Sequence, residues 1–224
     1  MTKILAISDI HGEENQNLYT YLDANNIDLV LILGDITNFG PIGFVETFIN
    51  KLKSYNFDVI AIHGNCDPDG VCDAIGNVTT CLHNNSIVYK DIVLSGYGGS
   101  NLTPFDTPSE VDDDKIYEDL HKLFENQTEY EDKLKILVTH APPLNSDADV
   151  IESGDHVGSQ GVFKIIEEFE PNINLCGHVH EAKSISKIAN TDVVNPGMLK
   201  DNGAVLITID DNLKYEISII SLDN

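Results

Sequence analysis

The sequence contains no arginine, and all 13 basic residues among its 224 residues are lysines. Bidentate recognition of a phosphate by guanidinium is therefore excluded, so an anionic substrate has to be held by metal, lysine, histidine or backbone N–H groups. The basic residues face 37 acidic ones, which gives a formal net charge of -24. Because this charge opposes the phosphate field of DNA and RNA, we do not expect a long nucleic acid as a partner.

Cysteine is scarce, and long apolar runs are absent. No CxxC pair or zinc-finger spacing occurs, so we expect four reduced thiols: Cys66, Cys72, Cys81 and Cys176. No run approaches the ~18 apolar residues of a membrane span, and the first apolar stretch is too short for a secretion signal. We expect a soluble, cytoplasmic protein without a membrane partner. The length favours one domain over 1–224. We expect a monomer or a small homo-oligomer.

The first third of the chain alternates strands and helices. Apolar runs predict strands at 3–8, 28–33 and 58–63, and periodic segments predict helices at 14–25 and 42–54. Helix-sized connections between apolar strands favour right-handed crossovers and a parallel sheet.

The remainder of the chain predicts shorter strands with two further helices. The helices are expected at 111–126 and 160–169, and the turn-rich segment 98–108 is either surface loop or a lid over a site. The expected strands are 87–89, 92–94, 135–139, 173–176, 184–188, 192–195, 204–209 and 215–220. Two sheets packed face to face, with helices outside, would bury these elements.

Five apolar runs end in residue types that bind metal ions: Asp9 and His11, Asp35, Asn65 and Asp67, His140, and His178 and His180. In open α/β folds the carboxyl ends of the strands form the functional edge, so the five groups predict one shared site. Asp-x-His and His-x-His each place two side chains on the same side of an extended chain. Any one group is common in turns, but five together indicate a metal site.

The predicted ligands are carboxylate, imidazole and amide groups without thiolate. This set favours a catalytic ion rather than a closed structural zinc site, with Mn²⁺ expected and Ni²⁺, iron, Co²⁺ or Zn²⁺ as alternatives. A carboxylate such as Asp35 can bridge two ions about 3.5–4 Å apart that together activate water and hold a phosphoryl group.

These motifs resemble, in order, the motif series of the calcineurin-like metallophosphoesterases over about 3–197. The residues that carry the resemblance are Asp9-Ile10-His11, Gly34-Asp35, Gly64-Asn65-Cys66-Asp67, Thr139-His140-Ala141-Pro142-Pro143 and Gly177-His178-Val179-His180. The Gly-Asn-Cys-Asp form is most similar to a small bacterial and archaeal phosphodiesterase branch. The resemblance implies a four-layer α-β-β-α sandwich of two mixed β-sheets flanked by helices. It also implies phosphate-ester hydrolysis through in-line attack by a metal-bound hydroxide.

The resemblance further implies two divalent metal ions bridged by Asp35. One would be held by Asp9, His11, Asp35 and His180, and the other by Asp35, Asn65, His140 and His178. Asn65 would also help to orient the phosphoryl group.

Cys66 departs from the pattern of many members of this family. Those members have a histidine after the asparagine, and that histidine binds the phosphate and protonates the leaving oxygen. A thiol with a pKa of about 8.5 is a weak acid at neutral pH. Without the histidine as general acid, hydrolysis of esters with basic leaving groups should slow roughly 10²- to 10⁴-fold. Hydrolysis of esters with good leaving groups should slow less. His156, which precedes a predicted helix, is the first candidate catalytic replacement, and His63 is the second.

The leading hypothesis is a dinuclear-metal phosphodiesterase acting on a small phosphodiester, nucleotide-like compounds included. A phosphomonoesterase is the first alternative, although a doubly charged monoester finds neither arginine nor the usual histidine here. A non-catalytic, retromer-type scaffold with the same fold is the second alternative. A DNA repair nuclease of the same superfamily is the third, and the net charge opposes it.

Overall fold

The computed structural model describes residues 1–127 and 130–223, and these segments form twelve strands and five helices. The strands are β1 (Thr2–Ile7), β2 (Leu29–Leu33), β3 (Asp58–Ile62), β4 (Thr80–Cys81), β5 (Asn85–Tyr89), β6 (Ile92–Tyr97), β7 (Leu134–Thr139), β8 (Ile173–Leu175), β9 (Ser184–Ile188), β10 (Thr191–Asn195), β11 (Gly203–Ile209) and β12 (Tyr215–Ser221). The helices are α1 (Gln16–Ala24), α2 (Gly43–Lys53), α3 (Val71–Val78), α4 (Asp113–Glu125) and α5 (Gln160–Phe169). None of these described helices has both the length and the apolar character needed to cross a bilayer.

The strands form two mixed sheets of six strands each. The first has the order β12-β11-β1-β2-β3-β4, in which β1 to β4 are parallel and β11 and β12 are antiparallel to their neighbours. The second has the order β5-β6-β7-β8-β10-β9, with a parallel centre and antiparallel edge strands. Helices α1 and α2 connect neighbouring parallel strands, as the alternating pattern predicts.

Both faces of the central strands are buried. In β1, Ile4 and Ala6 belong to the core between the two sheets, whereas Leu5 and Ile7 pack with α1 and α2 on the outer side. Helices α1 to α3 cover the first sheet, and α4 and α5 cover the second. The predicted four-layer α-β-β-α sandwich is therefore confirmed. Strands buried on both faces appear in the sequence as continuous apolar runs, so their positions can be predicted well from the sequence.

The segment around α3 departs from the sequence predictions. Helix α3 is eight residues long, begins after Gly70 at φ 87°, and leads into the two-residue strand β4. The prediction of four reduced thiols is wrong, because Cys72 of α3 and Cys81 of β4 form a disulfide with their Cα atoms 5.7 Å apart. Helix α3 brings these two positions, nine residues apart, together, and sequence spacing alone does not reveal this contact. Cys66 and Cys176 are free.

Candidate metal centre

The predicted ligands converge where strands of both sheets end. Those that follow β1, β2 and β3 come from the first sheet, and those that follow β7 and β8 come from the second. The residues brought together are Asp9, His11, Asp35, Asn65, His140, His178 and His180. Four of them, Asp9, Asp35, Asn65 and His140, are buried. The site therefore lies between the two sheets at one edge of the sandwich.

The backbone is strained at several of these positions. Four predicted ligands have left-handed φ angles: Asp9 at 55°, His11 at 50°, Asp35 at 48° and His178 at 70°. A non-glycine residue in this region costs on the order of 1 kcal/mol or more, and such residues concentrate at functional sites. Backbone bonds from Asp9 N to Gly34 O (3.2 Å) and from His11 N to Asp35 O (2.9 Å) hold the two strained turns against each other.

The first donor group consists of Asp9, His11 and His180. The Nε2 atoms of His11 and His180 are 3.2 Å apart, and His180 Nε2 is 3.3 Å from Asp9 Oδ1. Asp9 Oδ1 is buried, and no described residue forms a hydrogen bond with it. A buried carboxylate oxygen without a hydrogen bond is costly, and a cation at this point would offset that cost. The three side chains can hold one metal ion.

The second donor group consists of Asn65, His140 and His178. Asn65 Oδ1 lies 2.9 Å from His140 Nε2 and 2.7 Å from His178 Nδ1. His140 Nδ1 donates to the carbonyl of Leu33 at 2.8 Å, which leaves Nε2 as the ligand atom. Asn65 Nδ2 donates to Thr107 Oγ1 at 2.9 Å, and this bond turns Oδ1 toward the imidazoles.

Asp35 lies between the two groups. Its Oδ2 is 3.7 Å from His11 Nε2, and its Oδ1 is 3.4 Å from His140 Nε2. Cys66 N donates to Oδ1 at 2.8 Å and fixes the carboxylate. The two oxygens of one buried side chain thus face separate donor groups.

Charge compensation inside the site depends on His140. Burial opposes its charge, but Asp35 and Asp9 outweigh burial and raise the pKa of His140 to about 9. Burial likewise opposes ionisation of Asp35, yet His140 holds the pKa of that carboxyl well below its ordinary value. Burial and the charge of His140 lower the pKa of His178 to about 4. In the metal-free protein, a protonated His140 therefore partly neutralises the buried carboxylates.

Asp67 has a structural task rather than a place among the ligands. Its Oδ2 accepts hydrogen bonds from Ile36 N (3.1 Å) and Gly64 N (2.8 Å), and its Oδ1 accepts from Thr37 N (2.7 Å) and Thr37 Oγ1 (2.9 Å). The fully buried carboxylate thereby ties the turn after β2 to the turn after β3. At Gly64 a Cβ atom would lie 2.1 Å from Asp35 Oδ1, so only glycine allows this approach.

His156 lines the same cavity, of about 1090 Å³, as five of the predicted ligands: His11, Asp35, Asn65, His178 and His180. Its Nδ1 is 2.6 Å from Oδ1 of Asp149, a buried carboxylate that sequence analysis did not single out. Asp149 also accepts hydrogen bonds from Asn145 N, Ser146 N and Gly158 N. This fixed acceptor orients the imidazole and leaves Nε2 for a ligand. No motif connects Asp149 with His156, so only the folded loop reveals the pair.

The other candidate proton donors have unsuitable surroundings. Burial and the charge of Asp35 raise the pKa of the Cys66 thiol, which stays neutral beside His11 and Asp35. His63 packs against His83 with ring centroids 4.6 Å apart, and burial lowers its pKa to about 3. A histidine with this pKa is not an imidazolium at neutral pH and therefore has no acidic proton to give.

Comparisons with known proteins identify the family. A model of the calcineurin-like phosphoesterase family matches residues 2–182. The uncharacterised protein MJ1162 of Methanocaldococcus jannaschii is 36% identical over 217 residues, which cover 93% of this chain and 96% of the relative. The chain therefore belongs to the calcineurin-like phosphoesterase family, and this membership supports a phosphoesterase hydrolase. The family binds divalent metal ions, and the clustered donors, with an Asp9 Oδ1 that lacks a hydrogen bond, fit such ions.

Two solved structures share the fold at low sequence identity. The crystal structure of TT1561 of Thermus thermophilus is 17% identical, with a TM-score of 0.72 and coverage of 97% of this chain and 98% of that one. The 5'-nucleotidase of Candida albicans is 12% identical, with a TM-score of 0.59. That match covers 99% of this chain and 51% of the nucleotidase. At these identities the two structures support the fold alone.

Proposed function

We propose that this protein is a dinuclear-metal phosphodiesterase that hydrolyses small organic phosphodiesters. The observation that carries the proposal is the position of Asp35, whose two carboxylate oxygens face two separate donor groups. One divalent ion would be held by Asp9, His11, His180 and Asp35, and the other by Asn65, His140, His178 and Asp35. Mn²⁺ is the expected metal.

The metal ions and the protein would contribute different things. When bound, two divalent ions activate a water molecule and neutralise oxygens of the phosphoryl group. The protein holds the donors in place through Thr107 and the carbonyl of Leu33. We assign Asn65 the further task of orienting the phosphoryl group, because this residue lines the cavity beside the metal donors.

A diester fits the charge of the cavity better than a monoester. Among the described residues that line the cavity none is lysine, and the chain has no arginine. The second negative charge of a monoester would therefore find no positive side chain beyond the histidines and the metal ions. A diester carries a single charge and avoids this deficit.

We further assign His156 as the proton donor to the leaving oxygen. Its ring is oriented by Asp149, is about 40% exposed and lines the cavity that the donors also line. Proton transfer of this kind matters most when the leaving group is basic.

Hydrolysis by metal-reloaded protein tests the main proposal. Protein stripped with EDTA and reloaded with Mn²⁺, Ni²⁺, Co²⁺ or Zn²⁺ should bind two ions per chain by mass spectrometry. It should also hydrolyse bis-p-nitrophenyl phosphate faster than p-nitrophenyl phosphate. Asp35→Asn should abolish this activity, whereas Asp91→Asn, at an exposed position outside the cavity, should retain it. Metal-replete protein that hydrolyses no ester would refute the proposal and favour the scaffold alternative.

A leaving-group series tests the role of His156. His156→Asn should reduce kcat roughly 10²- to 10⁴-fold for diesters with alkoxide leaving groups, and less than about tenfold for p-nitrophenolate. His121→Asn, at a position outside the cavity, serves as the control. An equal loss for all leaving groups would contradict proton donation and indicate a role in binding alone.

A further inference from the structure

The cavity over the metal centre has an apolar wall that the proposed chemistry does not use. Three large apolar side chains line it while remaining open to solvent: Phe105 is 79% exposed, Leu102 is 62% exposed and Phe39 is 59% exposed. We call Phe39, Leu102 and Phe105 the apolar wall. At about 1090 Å³, the cavity is large enough for a ligand well beyond a phosphate group. A cluster of exposed apolar side chains beside polar donors is typical of a ligand-binding site.

The apolar wall is held in place on the side of Phe105. Glu110 accepts hydrogen bonds from Thr103 N (2.9 Å), Thr103 Oγ1 (2.5 Å), Thr107 N (3.0 Å) and Thr107 Oγ1 (2.6 Å), and these bonds close the turn that carries Phe105. Phe105 N donates to Thr103 Oγ1 at 3.1 Å within the same turn. The segment 98–108, which the sequence left open between surface loop and lid, is thus tied into a defined shape. A loop backbone that is ordered before binding loses little entropy when a ligand arrives.

Phe39, the third member of the apolar wall, is fixed by its backbone. Its φ angle is 60°, a left-handed conformation that is uncommon for a bulky residue, and its N–H donates to Cys66 O at 3.1 Å. The hydrogen bond ties Phe39 to the turn that carries Asn65. The backbone that carries the ring therefore has a fixed position relative to the metal donors.

The charges around the cavity limit the charge of the group that can bind there. Glu152 and Glu181 line the cavity and are exposed, and the described lining residues include no lysine. An additional anionic group on the substrate would be repelled by these carboxylates, with little compensation. The cavity thus favours a substrate arm without negative charge.

We propose that the apolar wall is a subsite for one ester arm of the phosphodiester, an aromatic group without negative charge. This inference rests on the proposed phosphodiesterase function and narrows its substrate class. Phosphodiesters whose arm is an aryl group or an uncharged nucleoside belong to the class. Substrates with further phosphate or carboxylate groups on that arm do not.

Three diesters with the same p-nitrophenolate leaving group test the subsite, their second arm being methyl, phenyl or 4-carboxyphenyl. The phenyl ester should exceed the methyl ester about tenfold in kcat/KM, and the carboxylate should remove most of this gain. Phe105→Ala should lower the phenyl-to-methyl ratio about 3- to 10-fold. Val88→Ala, an exposed apolar position outside the cavity, should leave the ratio unchanged. A ratio below about two, or one that Phe105→Ala does not change, would overturn the subsite while leaving the phosphodiesterase proposal intact.

Direct binding keeps the two proposals separable if no diester is hydrolysed. Diphenyl phosphate and dimethyl phosphate carry the same charge, and calorimetric titration of metal-loaded protein compares their affinities without turnover. Diphenyl phosphate should bind about tenfold more tightly, and Phe105→Ala should remove most of the difference. Equal affinities would refute the subsite. Tighter binding of diphenyl phosphate by an inactive protein would support the subsite and refute only the proposed function.

Discussion

Replacing Asp67 by asparagine should weaken metal binding although the side chain is not itself a ligand. The carboxylate joins the turn that carries Asp35 to the turn that carries Asn65, through four hydrogen bonds shared equally between its two oxygens. Asparagine has nearly the same shape but only one acceptor oxygen. We call the four hydrogen bonds of Asp67 the clamp. The substitution therefore tests the clamp without changing any metal ligand.

The expected magnitude follows from how the amide can be placed. With its NH₂ group at the Oδ1 position, Thr37 N loses its acceptor, while the Thr37 hydroxyl can turn and accept instead. With NH₂ at the Oδ2 position, the N–H groups of Ile36 and Gly64 both lose their acceptor. The first placement leaves one buried donor unsatisfied, at about 1–3 kcal/mol. Burial and the charge of Asp35 raise the pKa of Asp67 to about 6, so removal of the negative charge relieves some repulsion. We expect the lower half of this range.

Two measurements test this reasoning. Urea unfolding in EDTA should show a loss of about 1–2 kcal/mol for Asp67→Asn and at least about 3 kcal/mol for Asp67→Ala, which leaves three backbone donors unsatisfied. Calorimetric titration with Mn²⁺ should show metal affinity reduced about 10- to 100-fold for Asp67→Asn. Asp69→Asn, at an exposed position in the same loop, is the matched control. Wild-type metal affinity in an Asp67→Asn protein of reduced stability would refute the link between the clamp and the ligands.

Three further predictions concern other contacts. Thr107→Val removes the acceptor of Asn65 Nδ2, so metal affinity by calorimetry should fall about 3- to 10-fold, and an unchanged affinity would contradict this orienting role. Because the pKa of His140 rises to about 9 on folding, its protonation stabilises the metal-free protein below pH 6.5. The difference in urea-unfolding stability between the wild type and His140→Gln should therefore change by about 3 kcal/mol as the pH rises to 9, with the wild type losing stability relative to the variant. A difference that does not change over this range would count against the buried charge pair. Reduction of the bond between Cys72 and Cys81, nine positions apart, should cost about 2–3 kcal/mol by the same method. Four free thiols in the unreduced protein would contradict this.

The sequence predicts the strands of the sandwich better than it predicts α3. Strands such as β2 are buried on both faces, so they appear as uninterrupted apolar runs between polar turns. Helix α3 is short and contains Gly76 and Asn77, which weaken its helical signal. Its disulfide joins two positions that no local pattern relates. The difference reflects whether an element is specified by its own residues or by contacts with distant ones.

The same distinction separates the donors of the site from the residues that orient them. His140 and Asn65 can be picked out because each follows an apolar strand. Their orientation depends on Leu33 O and Thr107 Oγ1, which lie 107 and 42 positions away along the chain. A backbone carbonyl carries no sequence signature, and a threonine in a turn has none that marks it as an orienting group.

These distant contacts also decide which chemistry the donors can perform. Without the bond to Leu33, His140 could present either ring nitrogen, and without Thr107 the amide of Asn65 could present its NH₂ group to the imidazoles. An amide nitrogen in that position would repel a cation rather than bind it. The motifs therefore specify which residues meet, and the fold specifies which atoms they present. Thr107 also donates hydrogen bonds to Glu110 through its N–H and its hydroxyl. The turn that carries Phe105 and the amide of Asn65 therefore share one set of hydrogen bonds. Because the same hydrogen bonds position both, a substitution at Thr107 or Glu110 that alters this turn should also alter the metal donors.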